Sequence, residues 1–299
     1  MGYRIVYVEQ SECLRLYLDN LKLDTKKGEV LIPLSDIQTL IIDNNKTSLS
    51  VRLLNALSDN NISTIFCGID HLPKSSLIPL NGHYSQSGNL MKQIQWSDSI
   101  KLKLHREIVK TKLYNQCKLL MKYKCSSTAI STLIQYISEV EEGDKTNREG
   151  LGAKVYFRAL FGNDFTRFDN DVINAGLNYG YSILRSLISS IIISKGYTPN
   201  LGIFHKSKQN MFNLSDDIIE VFRPIVDEYV RENLYYSLTF EQFHREELVR
   251  LNTGRIQIDN ATQTISNAIT IYFESILKCI EENCIDYYLK PKCDITYDI

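Results

Sequence analysis

The chain has 299 residues, of which 43% are hydrophobic and 23% charged, with 6 Pro and 14 Gly. This composition excludes collagen-like, low-complexity and disordered classes and leaves one large or two moderate folded domains. Formal net charge is −1, so a grip on nucleic acid has to come from a local patch. The best apolar run, Ile183 to Ile193, is interrupted by Arg185 and several serines, and Met1 to Val8 lacks an apolar h-region and a small-residue cleavage site. Neither reads as a membrane element or a leader, so no membrane partner and a cytoplasmic location are expected. The seven cysteines form no C-x-x-C pair, the pattern of reduced thiols and not of a zinc ribbon.

In chain order, Arg4 to Val8, Leu14 to Leu18, Val30 to Leu34 and Ile37 to Asp43 are short apolar or alternating runs separated by polar and Gly-containing turns. They predict strands. The period changes from Ser48 to Asp59, where Leu49, Leu53, Leu54 and Leu57 recur three or four apart, before Asn60-Asn61 and a further strand from Ile62 to Cys67. That is one amphipathic helix. Pro79 to Asn89, rich in Pro, Gly, Asn and Ser, is the expected linker. From about Met91 the period is helical: Leu102, Val109, Leu113, Cys117 and Leu120 form one stripe, and Ile130, Leu133, Ile134 and Ile137 the next. Asn174 to Ser194 is apolar nearly all round and belongs in a helical core. Arg255 to Ile258 and Thr262 to Ile265 form a hairpin about Asp259-Asn260. The expected fold class is α+β, with a β-rich domain containing one helix over residues 1–88 and a mostly α-helical domain over 89–299.

Three places carry residues suited to chemistry. Glu149 opens a helix on whose face Ala153, Tyr156 and Phe157 also fall, which turns its carboxylate toward an apolar stripe. An acid in a first turn also serves simply to complement the helix dipole. His205 follows the Gly196 to Gly202 segment that breaks the buried helix, a place where sites occur, although a lone His is equally an ordinary polar residue. Asp216, Asp217 and Glu220 follow Ser215, a natural N-cap, and Asp217 and Glu220 share a helix face that enters the core through Val221 and Phe222. Glu149, His205 and Glu220 together are two hard carboxylates and one imidazole, a set for Mg²⁺ or Mn²⁺ and phosphodiester chemistry.

Lys101 to Lys124 carries eight Lys or Arg against the single acid Glu107. Lys103, Arg106, Lys110 and Lys112 are its candidate DNA-backbone residues, and a solvated helix face is the alternative. Lys206 and Lys208, directly after His205, would add positive charge where a phosphate must sit.

Four motifs in order identify a resemblance. They are Glu149-Gly150-x-x-Ala153-x-x-Tyr156-Phe157, Asn174-x-x-Leu177-Asn178-Tyr179-Gly180-Tyr181, Gly196-x-x-Pro199-x-Leu201-Gly202-x-x-His205, and Phe212-x-Leu214-x-x-Asp217-x-x-Glu220-x-Phe222-Arg223-Pro224. The chain resembles the CRISPR-associated integrase of spacer acquisition, the universal Cas endonuclease/integrase subunit, in its type II branch. The resemblance implies a β-sandwich-like N-terminal domain that dimerises and a helical catalytic domain. It implies Glu149, His205 and Glu220 as metal ligands and catalytic residues, with Asp217 and Tyr156 behind them. Many members of the family carry aspartate where this chain has the longer Glu220. It further implies a homodimer that joins a small ferredoxin-like CRISPR adaptation subunit, with other type II adaptation proteins as further partners. The 3′-hydroxyl of a captured DNA fragment would attack a phosphodiester at the CRISPR repeat boundary. The competing expectation is a non-catalytic DNA-binding scaffold in the same kind of complex. A small-molecule hydrolase is disfavoured by the basic segment and by the lack of a phosphate-cradling or nucleophile-elbow motif.

Overall fold

The computed structural model describes residues 4–25, 28–79 and 83–296. The first part contains β1 (Arg4–Val8), β2 (Cys13–Tyr17), β3 (Asn20–Thr25), β4 (Gly28–Pro33), β5 (Ile37–Ile42), β6 (Ser48–Leu49), α1 (Val51–Asp59), β7 (Ser63–Cys67) and β8 (Pro73–Leu77). One sheet runs β1-β5-β7-β8, its first three strands parallel and β8 antiparallel, and the other runs β4-β3-β2-β6. Leu14 and Leu21 of the second sheet share one core with Val8, Leu40 and Ile42 of the first and with Leu53 and Leu57 of α1. Period-two alternation puts these side chains on the inner faces in the expected sandwich-like arrangement, while the other face of the first sheet, with Ile41, Ile65 and Cys67, packs on the helical part. The helix starts where it does because the Ser50 hydroxyl accepts from the Leu53 amide.

Three strands in this part were not legible in the sequence, among them the two-residue β6, which takes up Ser48 and Leu49 from the start of the expected helix. β3 pairs Leu21 with Leu16 and Leu23 with Leu14, but its apolar residues are only two among six and look like a turn. β8 reads Pro-Lys-Ser-Ser-Leu because it is an edge strand, where polar residues and Pro are tolerated. Of the expected linker, residues 80–82 lie outside the described residues, and its last part is already helical: α2 (Gln86–Ile94) runs through position 88.

The remainder is α3 (Asp98–Lys122), α4 (Ser127–Glu139), α5 (Arg148–Phe161), α6 (Val172–Ser194), α7 (Asn213–Ile219), α8 (Arg223–Asn233), α9 (Gln242–Arg250), β9 (Arg255–Ile258), β10 (Ala261–Thr264), α10 (Ile265–Glu281) and β11 (Lys292–Thr296). α6 is the expected core helix, burying Leu177, Ile183, Leu184, Leu187, Ile188 and Ile192 against α7, α8, α9 and α10. The hairpin turns at Asp259 and Asn260, both at positive φ (50° and 58°), as a two-residue turn requires. β11 joins its other side as a third strand.

The basic helix differs most from expectation. α3 lies inside the helical part, packed on α4, α5, α8 and α10, and buries His105, Lys112, Asn115 and Gln116 along with Leu104, Ile108 and Leu113. Its charges are spread around the helix, and several are matched by acids of neighbouring elements: Arg106 by Glu142 and Lys122 by Glu228. Of the four residues expected to face DNA, Lys112 is buried, and Lys103, Arg106 and Lys110 are half-buried. No helix among the described residues is long and apolar enough to cross a membrane.

Candidate active site

Glu149 stands in the first turn of α5, held there by a doubled cap. The Asp144 carboxylate accepts from the amides of Arg148 (2.8 Å) and Glu149 (2.9 Å), and Asn147, left-handed at φ 50°, accepts from Gly150 N–H at 3.2 Å. These side chains satisfy amides that a helix start leaves without partners. One turn on, Gly152 lets α5 lie against α3, since a Cβ there would come within 2.4 Å of Leu113. The residue beside Leu113 is Lys112, so this close approach delivers its ammonium to Glu149.

Glu220 follows the end of α7, and its neighbour three residues on, Arg223, opens α8. Lys112 Nζ stands 2.6 Å from Glu149 Oε1 and 2.5 Å from Glu220 Oε2, while Arg223 Nε donates to Glu220 Oε1 at 3.0 Å. All four groups are largely buried, and the Lys112 and Glu220 side chains are each 9% exposed. Burial alone would raise both carboxyl pKa values. Lys112 and His105 at Glu149, and Arg223 followed by Lys112 at Glu220, override it and hold both below the ordinary glutamate range. Burial would likewise lower the pKa of Lys112, but the two glutamates raise it, so the lysine stays charged. Lys112 was expected on a DNA-facing surface and is instead the cation between two carboxylates.

His205 is set by Asp217. The buried Asp217 carboxylate accepts from the amides of Ile203 (2.5 Å), Phe204 (3.1 Å) and His205 (3.1 Å) and pairs with His205 Nδ1 at 2.7 Å. Gly202 permits this fold of the loop, since a Cβ there would lie 2.7 Å from Asp217 Oδ2. With Nδ1 engaged, the ring presents Nε2 from a side chain that is 40% exposed. The hydrogen bond to Asp217 raises the imidazole pKa against the opposing effect of burial, and Glu220 contributes to the field on it.

His105, which does not stand out in the sequence, links these parts. It is buried, lies with Nε2 3.8 Å from Glu149 Oε2, and stacks on Phe204, the residue before His205, with ring centroids 3.5 Å apart. The only signal is its spacing of seven from Lys112, two helical turns along one face. Arg223 is equally inconspicuous, a motif residue before Pro224. Tyr156, expected behind the ligands, is elsewhere: its hydroxyl donates to Asp227 at 2.8 Å, and Tyr181 bonds the same carboxylate. The helical period that aligns Tyr156 with Glu149 also carries it two turns deeper into the core. Lys206 and Lys208 are exposed beside His205, Lys103 and Lys110 are half-buried, and Arg106 pairs with Glu107 and Glu142.

Glu149 and Glu220 thus meet on one cation, and His205 stands beside them through Phe204 and His105. The three do not each bring a ligand atom within 4.8 Å of the others; among the described residues the group that does is Glu9, Asp43 and His71. There, however, Arg245 bonds Glu9 at 2.8 Å, Tyr7 bonds Asp43 at 2.5 Å, and His71 Nδ1 pairs with Asp43 at 2.9 Å. That cluster lies where the ends of β1, β5 and β7 meet α9. A mainly apolar cavity of about 490 Å³ between β8, α6 and residues 197–200 includes none of the three candidate ligands.

A family model described as CRISPR associated protein Cas1 matches residues 6–258. The CRISPR-associated endonuclease Cas1 of Neisseria meningitidis serogroup C is 35% identical over 227 residues, covering 76% of this chain and 74% of the relative. In fold, a Cas1 protein from Thermotoga maritima matches with a TM-score of 0.73 at 20% identity over 93% of this chain and 97% of that one. A casposase bound to integration product matches with a TM-score of 0.75 at 17% identity over 100% and 96%. The family match spans every residue of the site from His105 to Arg223, and the chain belongs to the Cas1 family of CRISPR-associated proteins.

Proposed function

We propose that Glu149, His205 and Glu220 are the catalytic and metal-binding residues of this Cas1 protein, and that it works in the type II branch of the family. As a family member it is a DNA endonuclease and integrase of spacer acquisition. The observation that carries the site assignment is the convergence of Glu149 and Glu220, from α5 and the α7–α8 junction, on a single buried cation. Two hard oxygen donors with a neighbouring imidazole fit Mg²⁺ or Mn²⁺. Glu149, Glu220 and His205 would hold such an ion, which would supply Lewis-acid stabilisation of charge on the phosphoryl oxygens.

The chain's own residues do the rest. Asp217 fixes the His205 ring and its loop, and Arg223 holds Glu220 by one oxygen. Lys206 and Lys208 offer positive charge to the DNA backbone next to His205. In strand transfer the 3′-hydroxyl of the captured fragment forms a new P–O bond at the repeat boundary as the old bond breaks, the freed strand leaving with the 3′-hydroxyl. One phosphodiester replaces another, so no energy-supplying cofactor is required.

The protein would act as a homodimer through the β-rich part, residues 1–88, with the catalytic part at 89–299, and with a small ferredoxin-like adaptation subunit and DNA as partners. Several apolar strand faces on a modest core support a partner copy there. Strand transfer on branched DNA in Mn²⁺, with and without EDTA, tests the reading. Activity in wild type that is lost in Glu149→Gln and Glu220→Gln, with DNA binding kept, is the expected result. Activity that survives both substitutions would sink the site, and a protein that binds DNA but neither cuts nor joins it would be a scaffold.

A further inference from the structure

A divalent ion drawn to both Glu149 and Glu220 competes with the Lys112 ammonium that stands between the two carboxylates, while Glu149 Oε2 faces His105 at 3.8 Å. Glu220 Oε1 is engaged by Arg223, and both Glu149 Oε1 and Glu220 Oε2 face the one ammonium. Formal charge makes the conflict sharper. With His205 a neutral ligand, Glu149, Glu220 and Asp217 against Lys112 and Arg223 sum to −1 without the ion, and the ion would leave a surplus of one positive charge in a largely buried pocket. Such a surplus is strongly unfavourable unless an anion enters with it. The phosphodiester is the anion the reaction brings. Lys112 is also suited to move: its charge sits on a flexible four-carbon stem, whereas Arg223 holds its carboxylate with a planar fork.

Resting on the ligand assignment above, we propose that Lys112 is a positioning residue that holds Glu149 and Glu220 together in the ion's absence, yields those oxygens to the ion, and passes its ammonium to a DNA phosphate. Metal binding and DNA binding are then coupled, each strengthening the other by the same factor. The buried lysine thus biases the ion toward the DNA-bound protein.

The test measures Mn²⁺ affinity by the loss of the free-ion EPR signal, using the full chain with and without a duplex whose 3′ ends are dideoxy-terminated and cannot react. Wild type should bind Mn²⁺ at least about tenfold more tightly with the duplex, and the duplex more tightly by the same factor with Mn²⁺. Lys112→Met should bind Mn²⁺ about tenfold more tightly than wild type without DNA and lose most of the coupling. Lys112→Gln serves the same purpose if the methionine variant does not fold. Equal Mn²⁺ affinity of wild type with and without the duplex would overturn the proposal, as would a folded Lys112 variant that keeps the full coupling. Glu149→Gln and Glu220→Gln separate the two readings: if Mn²⁺ binding with DNA persists in both, the ligand assignment fails, and with it the ground on which Lys112 was argued.

Discussion

The molecule contains two clusters built from nearly the same parts. In each, a histidine that is 40% exposed presents Nδ1 to a buried aspartate, His205 to Asp217 and His71 to Asp43, at 2.7 and 2.9 Å. In each, a basic side chain joins two acidic groups: Lys112 between Glu149 and Glu220, Arg245 toward Glu9 and Asp43. The difference lies in what else the oxygens do. Asp43 is further bonded by Tyr7, and the arginine crosses from α9 to the ends of β1 and β5, so that cluster is a closed clamp between two parts of the fold. Around Lys112 the two carboxylates share one flexible cation. The residue inventory of a metal site is thus present twice; in one cluster the shared cation is an arginine fork that ties two parts of the fold together, and in the other it is a flexible lysine between two carboxylates.

The comparison breaks most directly through the two histidines. His205→Ala should lower strand transfer and cleavage at least about 100-fold while DNA binding and the circular dichroism spectrum stay close to wild type. His71→Ala should leave strand transfer within about twofold, since it touches no reacting group. Equal losses in both variants would mean that the two clusters are not functionally distinct.

Stability should show the reverse order. Arg245→Ala leaves the Asp43 carboxylate, fully buried, without its arginine, and should cost about 3 kcal/mol in urea unfolding, with strand transfer per folded molecule kept. A smaller effect is expected at the surface. Replacing both Lys206 and Lys208 by Ala should weaken DNA binding and flatten its log-log salt dependence by up to about 0.9 for each phosphate that is no longer neutralised. An unchanged slope would mean that neither lysine touches the DNA backbone.

A further effect concerns Asp227. Burial pushes its carboxyl up from 3.8 to about 6, against the pull of the Tyr181 and Tyr156 hydroxyls. A folded value above the unfolded one means that the protonated form favours folding. This contribution is complete below pH 3.8 and is lost as pH rises through about 6. Asp227→Asn should therefore flatten the fall in Tm over that window, as scanning calorimetry at several pH values would record.

Local pattern determined much of this protein. The apolar or alternating runs of β1, β2 and β5, the leucine spacing of α1, the apolar girth of α6 and the Asp259-Asn260 turn depend on neighbouring residues, so each was legible without a fold. Glu149, His205 and Glu220 were also singled out, because each stands at a helix start, a helix break or a helix end, places that residue types mark directly. The tertiary structure decided the rest. Whether β8 pairs depends on the strand beside it, and whether a lysine of α3 meets solvent or two glutamates depends on α5 and α7 arriving on the same side of that helix. Tyr156 and Lys112 changed places in the same way: periodicity states which residues share a face, but only packing states what lies opposite that face, because a buried charge is placed by partners distant in the chain.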